Sequence, residues 1–355
     1  MIKVLIVEDS PVMQQLLAYA ITSDPDLEVV GIVENGEEAI EAVKKFNPDV
    51  IAMDWHMPKL DGRQATRIIM ETNPTPIVIV SGSSAPRETI SSFSLIEAGA
   101  LALVKKPPSV NHPDYKKETE ELIQTLKLMS EVKLVRRIAR TTREQIPVKP
   151  SIEKLVNRES EIQVVVIGAS TGGPLALQKI LSGLPQNIQV PILIVQHISQ
   201  GFTEGFVEWL NNTTNFPLHL AAEGDYPLPG HGYVAPDNFH MGVDRGPRII
   251  LSDHKLENGL RPSVAYLFRT AANVFGSKAV GVLLTGMGHD GAEELKLLKE
   301  KGAVTFIQDK ESSVVYGMPG EAEKLNAATF ILSPDDIVTA LTGLIKKKNG
   351  EVYGK

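Results

Sequence analysis

The 355-residue sequence contains no cysteine. Disulfides, thiolate nucleophiles and cysteine-ligated zinc are therefore excluded. No apolar run approaches the roughly 20 residues that span a bilayer, so no membrane insertion is expected. The opening stretch MIKVLIVEDS lacks a basic segment and a cleavage-site pattern. Export is not expected, and the lack of cysteine fits the cytoplasm. An excess of positive charge is missing too. Lys and Arg total 36 against 43 Asp and Glu, a formal net charge of −7. That balance speaks against nonspecific nucleic-acid binding. The histidines form no H-E-x-x-H or similar ligand spacing, and no internal repeat or low-complexity tract is present.

What is present is strand and helix in alternation, twice over. Apolar residues make up 43% of the chain, enough for two cores at this length. In the first part KVLIVED (3–9), VVGIV (29–33), DVIAMD (49–54), PIVIVS (76–81) and LALVKKP (101–107) read as short buried parallel strands. Helical patterns such as SPVMQQLLAYAI lie between them, with Ser10 at the N-cap and Pro11 at the first helical position. A (βα)5 series of this kind implies a doubly wound parallel sheet. From 161 onward the alternation resumes with IQVVVIGAS, VPILIVQH, KAVGVLLTG, GAVTFIQD and ATFILSP. Residues 218–253, with LHLAAE, GYVAP and RIILSD, read as a small antiparallel insertion. The expected fold class is α/β, with two domains, each a doubly wound, mainly parallel sheet. Expected boundaries are 1–121 and 161–347, with 122–160 as the connection: KKETEELIQTLKLMSEVKLVRRIAR reads as one or two amphipathic helices, and TTREQIPVKPSIEKLVNRES as a polar linker with two prolines.

In the first domain, acids cluster at strand ends. Glu8 and Asp9 close the first strand, and Asp54 closes the third. For a strand order of 2-1-3-4-5 the first and third strands are neighbours, and their carboxyl ends flank the switch point where ligands bind. Three acids there repel one another unless a cation intervenes, and oxygen ligands suit Mg²⁺. Ser81 and Lys106, at the ends of the fourth and fifth strands, can bond a phosphoryl group. Asp54 is then a nucleophile that becomes an acyl phosphate. The stretches VEDS, MDWHMPKLDG, VSG and KKP resemble the receiver domain of two-component response regulators. The resemblance implies phosphorylation of Asp54 by a histidine kinase with Mg²⁺, and a metal ligand from the backbone carbonyl of His56. Glu8 stands where that family commonly has aspartate.

In the second domain, VVVIGASTGGP (164–174) runs from a strand into a glycine-rich turn. One reading is a phosphate cradle at a helix N-terminus. Against it, the glycines are spaced G-x-x-x-G-G, and the next strand ends in Gln196-His197 where a dinucleotide site places an acid. The other reading is G-x-S-x-G, a turn that exposes the Ser170 hydroxyl. A serine nucleophile needs a base and an orienting acid. His197 ends the next strand, and Asp290 follows AVGVLLTG in the turn GMGHDGAEEL. Taken alone, Asp290 also reads as the N-cap of the helix GAEELKLLKE. The backbone N–H groups of Thr171 and Met287 are oxyanion-hole candidates.

VVVIGASTGGP, PILIVQHISQGFTEGF, YVAPDNFHM, RPSVAYLFRTAA, GVLLTGMGHDGAEEL and VVYGMP together resemble the catalytic domain of chemotaxis protein-glutamate methylesterases. The resemblance implies Ser170 as nucleophile, His197 as base and Asp290 as orienting acid. It also implies hydrolysis of glutamate methyl esters on cytoplasmic chemoreceptor helices, deamidation of selected glutamines, no cofactor in the catalytic domain, and shielding of the active site by the unphosphorylated receiver. Ala265, Gly320, His289 and Ser199 depart from frequent choices in that family, and none of the four is expected to touch the triad.

Overall fold

The structure is a computed structural model. It describes residues 1–82, 86–132 and 162–345, without the side chains of 86–91. The chain divides into two compact units, Met1–Thr142 and Arg143–Lys355.

The first unit begins β1 (Ile2–Val7), α1 (Pro11–Thr22), β2 (Leu27–Val33), α2 (Gly36–Phe46), β3 (Val50–Met53). It continues α3 (Gly62–Thr72), β4 (Ile77–Ser81), α4 (Pro86–Ala98), β5 (Ala102–Lys105) and α5 (Tyr115–Ser130). The sheet order is β2-β1-β3-β4-β5, and every pairing is parallel. β1, β3 and β4 are inaccessible on both faces, which is why they read as unbroken apolar runs. Helix starts follow local chemistry. Asn35 Oδ1 accepts the Glu38 N–H, and the Glu38 carboxylate takes the Asn35 amide in return. Asp61 caps α3 through the Gln64 N–H. Ser10 occupies the N-cap of α1 but makes no side-chain cap bond. The expected linker start at 122 falls inside α5. That helix runs on to Ser130 and buries Leu122, Leu126 and Met129 where it packs on β1, β3, β4, β5 and α1. Linker residues 133–160 lie outside the described residues.

The second unit begins β6 (Val164–Ala169), α6 (Gly173–Gly183), β7 (Ile192–Gln196), α7 (Thr203–Thr214), β8 (Leu218–Leu220), β9 (Gly232–Val234). Next come β10 (His240–Val243), β11 (Ile249–Ser252), α8 (Val264–Phe275), β12 (Ala279–Leu283) and α9 (Ala292–Glu300). It ends β13 (Val304–Gln308), α10 (Met318–Lys324), β14 (Phe330–Leu332) and α11 (Pro334–Ile345). Among the described residues the main sheet has the order β14-β13-β12-β6-β7-β9-β8 and is parallel throughout. The antiparallel insertion is smaller than expected. LHL and GYV are β8 and β9, which extend the main sheet as parallel strands. Only β11, from RIILS, pairs antiparallel, with β10.

The chain leaves β6 toward β7 and returns to β12 on the opposite side. The switch point of this sheet therefore lies at the carboxyl ends of β6 and β12. A core of Val166, Leu193, Val195, Leu267, Phe268, Leu295 and their neighbours holds α8 and α9 against that part of the sheet.

Candidate active site

Two sites form at strand carboxyl ends, one in each unit. In the first unit Glu8, Asp9 and Asp54 each offer a carboxylate oxygen, and these oxygens lie within 4.8 Å of one another. Glu8 and Asp54 are buried, whereas Asp9 is exposed. The Lys106 ammonium sits between the buried pair, 2.7 Å from Glu8 Oε2 and 2.8 Å from Asp54 Oδ2. Burial works against the lysine charge, but hydrogen bonds to Asp54 and Glu8 outweigh it and raise its pKa. Burial dominates at Glu8 and pushes its carboxyl upward, with the Asp54 charge adding to the rise. Asp54 Oδ1 accepts the Trp55 N–H at 2.7 Å and faces the His56 N–H at 3.5 Å. Ser81 is fully buried at the end of β4, and its hydroxyl has no hydrogen-bond partner among the described residues.

In the second unit Ser170 follows β6, the strand between β7 and β12. His197 follows β7, and Asp290 lies in the loop after β12. Asp290 and His197 thus follow the strands on either side of the serine strand, and they meet: His197 Nε2 lies 3.0 Å from Asp290 Oδ2. That bond leaves Nδ1 as the ring nitrogen that Asp290 does not engage. Among the described residues no hydrogen bond joins Ser170 Oγ to His197, a looseness common before substrate is bound.

The Asp290 carboxylate takes five donors. Oδ2 receives His197 Nε2 and the Val264 N–H at 2.6 Å. Oδ1 receives Asn258 Nδ2 at 2.9 Å, Ser263 Oγ at 2.8 Å and the Ala265 N–H at 3.3 Å. Burial alone would raise its pKa, but the His197 bond and charge, with those from Asn258 and Ser263, bring it down to about 2. The N-cap reading of this residue needs correction. The helix that follows Asp290 has Gly291 at its N-cap and no side-chain cap bond. Asp290 instead satisfies the first N–H groups of α8, an element some 25 residues upstream. Ala265 meets Asp290 only through its backbone N–H, which any residue but proline would supply, so the departure itself brings no side chain to Asp290. Gly320 lies against the Tyr316 ring, with room for little more: a Cβ there would stand 3.1 Å from Cδ1. His289 is exposed and Ser199 buried.

The turn after β6 is poorly built for a phosphate. Gly172, at φ 78°, takes the left-handed conformation two residues after the serine, so the serine itself is spared it. The Gly173 N–H is consumed by Ser170 O at 2.8 Å, and Pro174 has none. Two donors that a phosphate would need at this helix start are therefore missing. Thr285 ties the turn to β12: its carbonyl accepts the Ser170 N–H at 3.0 Å, and its hydroxyl donates to Thr171 O at 2.9 Å. Among the described residues, neither the Thr171 nor the Met287 N–H donates to another backbone carbonyl. Met287 is exposed beside the turn.

Sequence reasoning missed Asn258, Ser263 and Thr285. Asn258-Gly259 is a strong turn signal, and Asn258 has φ 52° in a tight reversal closed by Glu257 and Leu260. Nothing in the dipeptide shows that the side chain then reaches Asp290.

Comparison with known proteins places both units. Residues 165–341 match the model of the CheB methylesterase family, and residues 4–112 match that of the response regulator receiver domain. The chain is 55% identical to a protein-glutamate methylesterase/protein-glutamine glutaminase of Nitrosospira multiformis over the whole of both chains. It is 52% identical to another from Geobacter metallireducens, over 98% of this chain and all of that one. The crystal structure of the Thermotoga maritima CheB methylesterase catalytic domain matches with a TM-score of 0.51 at 35% identity, covering 52% of this chain and all of that one.

Proposed function

The chain belongs to the CheB methylesterase family, with a receiver domain in front of the catalytic one, and from that premise we propose how its residues divide the work. It is a protein-glutamate methylesterase and protein-glutamine glutaminase of chemotaxis, regulated by phosphorylation. Ser170 is the nucleophile, His197 the general base and Asp290 the acid that holds the imidazole. The observation that carries this reading is the His197–Asp290 bond, made by a carboxylate saturated with donors beside the Ser170 turn.

Ser170 Oγ attacks the ester carbonyl of a glutamyl methyl ester as His197 takes its proton at Nδ1. Asp290 stabilises the imidazolium through Nε2. The proton passes to the departing methoxide, and methanol leaves an acyl-serine. Water, deprotonated by the same imidazole, attacks the acyl carbonyl and releases glutamate and the serine hydroxyl. With a glutamine side chain ammonia departs in place of methanol. The Thr171 and Met287 N–H groups receive the oxyanion.

In the receiver, Asp54 Oδ is the phosphoryl acceptor and a histidine kinase the donor. Three carboxylates in one small space fit Mg²⁺, which Glu8, Asp9 and Asp54 would hold together with the His56 carbonyl. When bound, the ion neutralises charge on the incoming phosphoryl group. Lys106 and the unpartnered Ser81 hydroxyl then bind the phosphoryl oxygens. The unphosphorylated receiver holds the catalytic unit in a less active population, and phosphorylation shifts it. The substrate is carried on cytoplasmic chemoreceptor helices, and the enzyme acts in the cytoplasm. No described helix is long and apolar enough to cross a membrane.

The test is methanol release from methylated receptor, with and without a small-molecule phosphodonor. Ser170→Ala is expected to abolish release under both conditions. Retained hydrolysis in that variant removes the triad assignment, and equal rates with and without phosphodonor remove the regulatory one.

A further inference from the structure

Gln196, the last residue of β7, is only 4% exposed. Its side-chain Nε2 donates twice, to Ser170 O at 2.8 Å and to His197 O at 2.7 Å. One amide thus bridges the carbonyls of the proposed nucleophile and base. The orientation follows from chemistry, because the reversed amide would set its oxygen against two carbonyl oxygens. The Oε1 atom is buried without a hydrogen-bond partner among the described residues, a cost that calls for an explanation. It lies so close to Gly173 that a Cβ there would stand 2.2 Å from it. The second glycine of STGGP is therefore required by the Gln196 side chain, whereas the first is required by backbone angle.

The placement matters because the β6–β7 ladder ends here. Ala169 pairs with Gln196, and the His197 N–H to Ala169 O bond, 2.9 Å, is the last rung. Beyond it the serine chain turns into α6 and the histidine chain enters a loop, so Gln196 supplies the link the ladder no longer provides. Ser170 O also belongs to the same peptide plane as the Thr171 N–H. Two donors, Gln196 Nε2 and the Gly173 N–H, hold the carbonyl side of that plane. The N–H on its opposite side is thereby fixed in direction and made a better donor.

We infer that Gln196 is a positioning residue for the hydrolysis: it sets the spacing of Ser170 and His197 and aims the Thr171 N–H at the developing oxyanion. This rests on the triad reading above. The test uses the full chain with phosphodonor and the variant Gln196→Met, which keeps the volume and loses both donors. Methanol release gives kcat and KM, and labelling of Ser170 by a fluorophosphonate reports serine reactivity without the receptor. A misaimed site is expected to lose about 10- to 100-fold in kcat and in labelling rate, with KM nearly unchanged and a folded circular-dichroism spectrum. A folded variant within about threefold of wild type in both readouts overturns the inference. If Gln196→Met does not fold, Gln196→Glu, of the same shape but with at most one donor, takes its place under the same criterion. Ser170→Ala run in parallel separates the two claims. Hydrolysis by that variant sinks the triad, whereas a dead Ser170→Ala beside a fully active Gln196 variant sinks only the positioning role.

Discussion

Asp54 and Asp290 are both aspartates beyond the carboxyl end of a parallel strand, yet their surroundings prepare them for opposite tasks. Asp54 shares one lysine with a second buried acid and has an exposed acid beside it. Oxygen lone pairs remain available there, and the crowding of negative charge favours anything that brings in a cation. Asp290 has no such capacity left. Its five donors hold it ionised and oriented, and its pKa falls to about 2. On the proposed roles, the carboxylate to be modified is kept short of donors, and the one that holds a histidine is surrounded by them.

The comparison is broken most directly by exchanging each carboxylate for its amide. Asp290→Asn should lower kcat for methyl-ester hydrolysis about 10³- to 10⁴-fold, because the amide can present the wrong hydrogen-bonding partner to His197. Phosphorylation of Asp54 should be unaffected, read by labelled phosphodonor. Asp54→Asn should do the reverse, leaving basal hydrolysis in place and removing all stimulation by phosphodonor. Should Asp290→Asn keep wild-type kcat, the saturated carboxylate is a helix anchor alone.

A finer cut removes one donor at a time. Asn258→Gly keeps the left-handed turn residue and deletes the amide that reaches Asp290 Oδ1. With four donors remaining, the expected loss in kcat is about fivefold to tenfold, the net scale of one ordinary hydrogen bond. Unchanged kinetics would mean that Ser263 and the α8 N–H groups suffice.

Much of this was legible in the residues. The apolar runs of β1, β3, β4, β6, β7 and β12 are buried on both faces, so composition alone marks them as interior parallel strands. Legibility failed where an element's partner lies far along the chain. LHL and GYV are three-residue strands, and so short a pattern does not reveal the direction of pairing. The expected domain boundary at 121 falls inside α5, whose Leu122, Leu126 and Met129 are buried where the helix meets the sheet and α1. Asp290 sits where a local N-cap would sit, but α8 claims it through tertiary packing. Gln196 was legible as something other than the acid of a nucleotide site, and its two carbonyl partners emerge only when β6 lies beside β7.

The mildest test uses protons, and its sign differs between the two units. Asp290 has a folded pKa depressed from 3.8 to about 2. Its contribution is complete above the unfolded value and is lost as pH falls through the window from about 4 to about 2, on the order of 2 kcal/mol in all. Glu8 runs the other way, since burial raises its folded pKa above 4.5. Its neutral form is the favoured one, so it helps most below pH 4.5 and its help declines as pH rises through the raised value. Glu8→Gln, a neutral isostere, should therefore slow hydrogen exchange in β1 and β3 at pH 7, while exchange in β6 and β12 stays constant. Asp290→Asn should instead hasten exchange in β6 and β12 at pH 7 and make it insensitive to acid between pH 4 and 2. Faster exchange in β1 of Glu8→Gln at pH 7 would show that the Lys106 pairing outweighs burial, and that the receiver acids are held as firmly ionised as Asp290.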